Sequence, residues 1–250
     1  MDLEQHELEL ARVQADDFRS SNLWALVGKH IAPGTVLDVG CGGGGMVAWL
    51  LRRGYDARGI DENDAIVGAA RTFLSESGLD AGRIEAMPLE VMIERKQPVD
   101  NVISMDCIEH IVDDAAAFHN LVRLCRPGGR ILVTVPAMPV LYSERDARVG
   151  HHRRYTPVRL RALAAGQPVH IDDLRYWNLL GTLPTLFATR VLKRPLDENF
   201  RFGTVSTPRR MLRRGLTTWF RVVENRIRPP VGMTLFMAMT RMPESNPAPT

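Results

Sequence analysis

Cysteine is scarce. Cys41, Cys107 and Cys125 are odd in number and never spaced as Cys-x-x-Cys, which excludes a disulfide framework and a zinc ribbon and points to a reducing compartment. No apolar run reaches the roughly 18 residues that a membrane-crossing helix needs. The first residues, Met1-Asp2-Leu3-Glu4-Gln5, are acidic and lack the apolar stretch of a secretory signal, so a cytoplasmic protein is expected. Charge excess is also missing. The net charge of +3 is too small to imply a nucleic-acid partner, and no recognition motif accompanies it. Lysine is confined to Lys29, Lys96 and Lys193, an arginine-for-lysine bias typical of GC-rich bacterial coding.

What charge there is lies unevenly. Residues 190–228 hold eleven Arg or Lys against three Asp or Glu, a local +8 that leaves the rest of the chain at −5. Within this segment Met211, Leu212, Leu216, Trp219, Phe220 and Val223 fall on one face of a helix expected over Arg209–Glu224. That face reads first as a packing surface and second as a membrane-surface face.

Residues 2–31 read as one or two helices, stopped by Pro33-Gly34. Strands are then expected at Thr35–Val39, Asp56–Ile60, Arg83–Met87, Val99–Met105 and Arg130–Val135, and helices at Met46–Arg53, Asp64–Glu76 and Asp113–Cys125. This alternation predicts an α/β fold with a doubly wound, mostly parallel sheet, because parallel neighbours need crossover connections. A polar loop over Met138–Tyr155, a helix at Pro157–Ala165, a strand at Val169–Tyr176 and a last strand at Gly232–Thr240 complete seven strands. One domain is expected. It divides into a helical cap (1–32), a core (33–176), a basic helical insert (177–230), the last strand (231–242) and a flexible tail (243–250).

The glycine cluster Val36-Leu37-Asp38-Val39-Gly40-Cys41-Gly42-Gly43-Gly44-Gly45 falls where the first strand passes into the first helix. Ligands of open parallel sheets bind at that edge, and glycines let the backbone approach them. Gly40, Gly42 and Gly45 also satisfy Gly-x-Gly-x-x-Gly, so a nicotinamide-dependent oxidoreductase has to be weighed. Asp38 argues against it. Two residues before the first glycine a dinucleotide site carries an apolar side chain, and a carboxylate there would repel a pyrophosphate. An acid suits instead the cationic α-amino group of S-adenosylmethionine (SAM). Asp61 ends the second strand, where an acid accepts ribose hydroxyls of either cofactor.

These motifs resemble class I SAM-dependent methyltransferases over about residues 30–140. Val36–Gly45 is similar to the first motif of that family, Gly59-Ile60-Asp61 to the second, and Cys125-Arg126-Pro127-Gly128-Gly129-Arg130-Ile131-Leu132 to the turn into strand five. The resemblance implies a Rossmann-like fold and SAM as cofactor, with S-adenosylhomocysteine as product. It implies that Asp38, Gly40 and Gly42 line the methionine part, Asp61 the ribose, Ala86 or Met87 the adenine, and Met105 and Asp106 the sulfonium, with Cys41 and Glu62 as further cofactor-binding candidates. Phe18-Arg19 resembles an aromatic-arginine pair of the family's N-terminal cap.

Two segments are candidates for the acceptor side. Asp106-Cys107-Ile108-Glu109-His110 resembles the Glu-His pair that follows strand four in many such enzymes, ubiquinone-biosynthesis O-methyltransferases among them. His110 is a candidate catalytic group, with a loop-fixing role as the alternative. No metal is expected, because the ligand set is incomplete by spacing. The loop Tyr142–Tyr155 concentrates donors and resembles a Gly-His-x-Arg-Arg-Tyr signature of a bacterial subgroup associated with sugar or secondary metabolism. His151 or His152 is expected to orient or deprotonate the acceptor, and Tyr142, Asp146, Arg153, Arg154 and Tyr155 to bind it. The competing reading is an ion-paired lid, with Asp146 bonded to Arg153 or Arg154. The expected activity is methylation, at oxygen first, of a polar or anionic small molecule, without nucleic acid as a partner. N- or C-methylation, the oxidoreductase, and a non-catalytic SAM-binding or membrane-peripheral module are the alternatives.

Overall fold

A computed structural model describes residues 17–187 and 207–243. Seven strands form one sheet: β1 (Thr35–Val39), β2 (Asp56–Asp61), β3 (Ile84–Ala86), β4 (Val99–Met105), β5 (Cys125–Pro136), β6 (Val169–Trp177) and β7 (Thr234–Arg241). Their order is β3-β2-β1-β4-β5-β7-β6. The first five run parallel, and β7 lies antiparallel between β5 and β6. Strand order reverses beside β1, which pairs with both β2 and β4. The carboxyl ends of β1 and β4 therefore flank the crevice where open α/β sheets bind ligands.

The helices follow the sequence signals for starting and stopping. They are α1 (Phe18–Gly28), α2 (Gly45–Leu51), α3 (Asp64–Glu76), α4 (Leu89–Glu94), α5 (Asp114–Leu124), α6 (Glu144–Arg148), α7 (Pro157–Ala164), α8 (Leu179–Phe187) and α9 (Thr207–Trp219). Asn63 caps α3 by accepting from the amides of Ala65 and Ile66, Asp113 caps α5 through Ala116, and Thr156 caps α7 ahead of Pro157. Each cap satisfies amides that have no partner inside the helix.

Alternating side chains of the strands feed two cores. On one face Leu37, Val39, Val102, Ile131, Val133 and Met237 pack under Phe118 and Leu121 of α5 and Leu160 of α7. On the other, Val36, Ile103, Leu132 and Phe236 pack under Leu26 of α1, Val47 and Leu50 of α2, and Phe73 of α3.

Several expectations need correction. The six-residue α4 was not anticipated, being too short for its buried Leu89 and Met92 to display a helical period. Arg126-Pro127-Gly128-Gly129 is not a turn before strand five but a bulge within it, since Cys125 already pairs with Val99 before the register shifts. The supposed loop after β5 contains α6, with Ser143 and Asp146 forming a capping box. The helix expected to Glu224 ends at Trp219 and continues as a π-helical turn, Phe220–Glu224. Its expected apolar face is divided: Leu216, Trp219 and Phe220 join the core while Met211 and Leu212 stay exposed. The helical pattern before Asp17 and the tail from residue 244 lie outside the described residues.

Candidate functional site

The glycine loop is shaped by backbone that other residues avoid. Gly40, Gly42 and Gly44 have φ of 70°, 51° and 75°, in the left-handed region where a side chain costs energy. A Cβ on Gly40 would lie 2.3 Å from the Cys107 sulfur, so this glycine also lets the post-β4 turn close on the loop. A Cβ on Gly42 would meet nothing within 4 Å, so the loop faces open space there. The amides of Gly40 and Cys41 both donate to the Ile60 carbonyl, at 2.9 and 3.0 Å. Trp24 of α1 closes over Gly45.

Two carboxyls stand at this edge. Asp61 accepts from the Gly42 amide at 3.1 Å and from the Asn63 amide at 3.1 Å. Asp38 is 2% exposed, and its Oδ1 has no hydrogen-bond partner. Burial, reinforced by the nearby Asp61 charge, pushes its carboxyl up to about 8. A buried acid without a partner is costly, and a cationic ligand group is the natural remedy. The site therefore fits SAM: the amino group would meet Asp38, the open space at Gly42 would admit the amino-acid tail, and Asp61 would hold the ribose. Glu62 is exposed. Ala86 is exposed, Met87 is buried, and the Met87 amide donates to the Asp61 carbonyl at 2.8 Å, which ties the segment expected at the adenine to the acid expected at the ribose.

Met105 and Asp106 sit where expected, at the end of β4. Asp106 is held by its amide to the Thr134 carbonyl (2.9 Å) and by the Thr134 hydroxyl (3.3 Å). Phe18 is buried with its ring 5.9 Å from that of Phe220. Arg19 donates to the Thr234 hydroxyl at 3.0 Å and lies 5.7 Å from the Trp177 ring. Thr234 pairs with Pro136, so Arg19 stands at the same sheet edge, beyond β5. The thiols are not nucleophiles at neutral pH, since burial raises both Cys41 and Cys107, the latter to about 12.

On the acceptor side the loop after β5 folds back onto the turn Ile108–His110. The His152 amide donates to the Glu109 carbonyl at 2.9 Å, and the Tyr142 hydroxyl donates to the His151 carbonyl at 2.8 Å. His151 Nδ1 lies 3.0 Å from Asp146 Oδ1. Asp146 also receives Arg154 at 2.8 and 3.1 Å and the Ser143 amide and hydroxyl at 2.9 and 3.1 Å. Burial works to raise the Asp146 carboxyl, but the bonds from Arg154 and His151 outweigh it and hold the group below its ordinary value. It stays ionised.

His151 Nε2 points toward Glu109, 3.9 Å away, and its ring meets that of His110 edge to face at 4.7 Å. Glu109 is fully buried with neither carboxyl oxygen hydrogen-bonded, and burial raises it well above the carboxylate range. Burial and the neighbouring His151 lower His110. Glu109, His110 and His151 offer ligand atoms within 4.8 Å of one another, a set that could hold a metal ion and that spacing along the chain did not reveal.

The remaining loop residues are engaged internally. Arg153 donates to the carbonyls of Ile111 and Val112, both at 2.8 Å, and lies 3.3 Å from Asp114. Tyr155 is wholly buried and donates to Asp114 at 2.8 Å. The Asp146–Arg154 pair is the lid arrangement weighed from the sequence. The Asp146–His151 bond was missed, because adjacency in the chain says nothing of which histidine turns inward.

A profile of the methyltransferase domain family matches residues 11–198. The chain belongs to the class I SAM-dependent methyltransferases. Curated relatives include a ubiquinone biosynthesis O-methyltransferase of Caulobacter vibrioides, 32% identical over 148 residues, 54% of this chain and 59% of that protein. One from Xylella fastidiosa is 37% identical over 100 residues, 40% of each. This methyltransferase thus spans about half the length of the curated relatives it matches. Among solved structures, the geranyl diphosphate C-methyltransferase from Streptomyces coelicolor A3(2) in complex with Mg2+, geranyl diphosphate and S-adenosylhomocysteine has the same fold. Its TM-score is 0.59 at 15% identity, covering 89% of this chain and 79% of the other. A complex of a methyltransferase with the Haloferax volcanii Trm112 activator gives 0.59 at 15% identity, covering 97% and 99%.

Proposed function

We propose that this methyltransferase transfers a methyl group from SAM to an oxygen of a polar small molecule, with His151 as the base. The observation that carries the reading is the Asp146–His151 pair. With Nδ1 bonded to an ionised, buried carboxylate, the ring has a fixed tautomer and orientation, and Nε2 is left to accept a proton. Such a base is useful for a hydroxyl and superfluous for a carboxylate acceptor. His152 is exposed and makes no side-chain hydrogen bond among the described residues, which favours His151 of the two candidates.

SAM, when bound, supplies a methyl group on a positively charged sulfur. The residues of the chain do the rest. Asp38 would hold the cofactor at its amino group and Asp61 at its ribose, and the docked 142–155 loop limits water around the acceptor. His151 Nε2 takes the hydroxyl proton as the new O–C bond forms. Holding the reacting groups in line contributes on the order of 7–11 kcal/mol when well done. The internal partners of Arg153 and Arg154 argue for a polar rather than an anionic acceptor, because neither guanidinium is left to recognise an anion. The O-methyltransferase relatives support the choice of oxygen.

Isotope-labelled SAM and a panel of phenols, catechols and sugar hydroxyls, read by mass spectrometry, test the proposal. Label on an acceptor oxygen supports it. Label only on nitrogen, carbon, protein or RNA overturns it, and so does full activity in His151→Ala.

A further inference from the structure

We propose that the outer face of α9 and the π-helical turn that follows it is a docking surface for a lipid bilayer rich in anionic headgroups. The inner face of this segment is firmly seated. Leu216 and Trp219 pack on the core and Phe220 is buried, with its ring 5.9 Å from Phe18 of α1. The wholly buried Glu224 accepts from Trp219 Nε1 at 3.0 Å and from the Leu179 amide at 2.8 Å. The outer face is accordingly fixed outward. Met211 is 68% exposed, Leu212 56% and Val222 42%, and Met211, Gly215, Thr218 and Val222 succeed one another on that face at helical spacing.

The segment is also basic: by sequence, residues 207–223 contain Arg209, Arg210, Arg213, Arg214 and Arg221 and no acidic residue. Arg214 and Arg221 are exposed and form no ion pair among the described residues. Solvated apolar side chains beside unneutralised guanidinium groups match the boundary between anionic headgroups and acyl chains: the apolar groups enter it and the cations remain at the phosphates. A second copy of the chain is a poor occupant, because a twofold contact would bring one arginine set against the other. A nucleic acid would satisfy the arginines but leave Met211, Leu212 and Val222 without an apolar partner. No helix among the described residues is long and apolar enough to cross a membrane, so the contact is peripheral.

The test is co-sedimentation of the full chain with phosphatidylcholine vesicles, with vesicles containing phosphatidylglycerol, and with single-stranded RNA in parallel. Binding to the anionic vesicles, weakened by salt and absent from pure phosphatidylcholine, is expected. The double variant Arg214→Gln/Arg221→Gln should weaken it about 20- to 30-fold, at about fivefold per arginine. Met211→Asp/Val222→Asp should weaken it at least about 10-fold. All four positions are away from the cofactor loop, so SAM affinity and melting temperature stay those of the unaltered chain, which separates this surface from the methyl-transfer reading. Equal binding to both vesicles overturns the proposal, as does RNA binding without vesicle binding, or a change in oligomeric state without loss of vesicle binding.

Discussion

At the tip of β1, Asp38 is 2% exposed and leaves an oxygen without a partner, whereas Asp146, equally buried in the loop after β5, receives three side chains and an amide. The same residue type, equally hidden from solvent, is pushed up to about 8 by burial in one place and held below its ordinary value by its hydrogen bonds in the other. The difference separates a group prepared for a ligand from one that supports a neighbour. A buried acid without a partner is destabilising until a cation meets it, so Asp38 would lend the site part of its specificity. Asp146, bonded to Arg154, Ser143 and His151, fixes the imidazole with its Nε2 toward the side of Glu109.

Breaking the acceptor half should have the largest effect. His151→Ala is expected to lower kcat by about 10²–10⁴, the range for losing a positioned base, with SAM affinity unchanged by calorimetry. Asp146→Asn keeps the loop's shape but not the charge behind His151. It should lower kcat less and move the acidic limb of the rate profile, where a base is lost to protonation, while a merely structural Asp146 would change only the melting temperature.

Breaking the cofactor half should act on binding. Asp38→Asn is expected to weaken SAM by about 100-fold, as for a buried charge pair that loses one member, yet to stabilise the SAM-free protein. The sign follows from linkage. The folded carboxyl titrates at about 8 against an ordinary value near 4, so the unfolded chain gives up its proton first as pH rises. Stability of the SAM-free protein should fall between about pH 4 and pH 8, by up to about 1.4 kcal/mol per pH unit. Asp38→Asn should flatten that fall in a series of melting curves. For the same reason SAM binding at pH 7 should release close to one proton, measurable by calorimetry in buffers of different ionisation heat; no proton release would mean that Asp38 does not meet the amino group.

The smallest effect sharpens the contrast within the glycine loop. Gly42→Ala places its Cβ in open space, so only the left-handed backbone is strained, costing about 1–2 kcal/mol, and its main effect is on SAM affinity. Gly40→Ala drives a Cβ into the Cys107 sulfur and should lower the melting temperature more than Gly42→Ala does.

Much of this was legible along the chain, and for local reasons. Strands β1, β2 and β4 and helix α3 announce themselves through short apolar runs, caps and stop glycines. Asp38 and Asp61 are readable because each ends a strand next to glycine or a turn. The short α4 and the bulge in β5 leave no mark in the sequence, since neither is long enough to express a period, and the apolar stripe of 209–224 looks like one face although the helix changes to a π-turn at Phe220.

By itself the sequence determined the parallel sheet, and it pointed to the edge where a cofactor is expected and to the acid expected to disfavour a pyrophosphate, because these depend on residues close together in the chain. Only the tertiary structure decided which histidine is backed by a carboxylate, that Arg153 and Arg154 serve the loop, and that Glu109, His110 and His151 converge. Those facts arise from a loop after β5 folding onto the turn after β4. Chain order carries no record of that packing, because the direction of a side chain is set by what surrounds it.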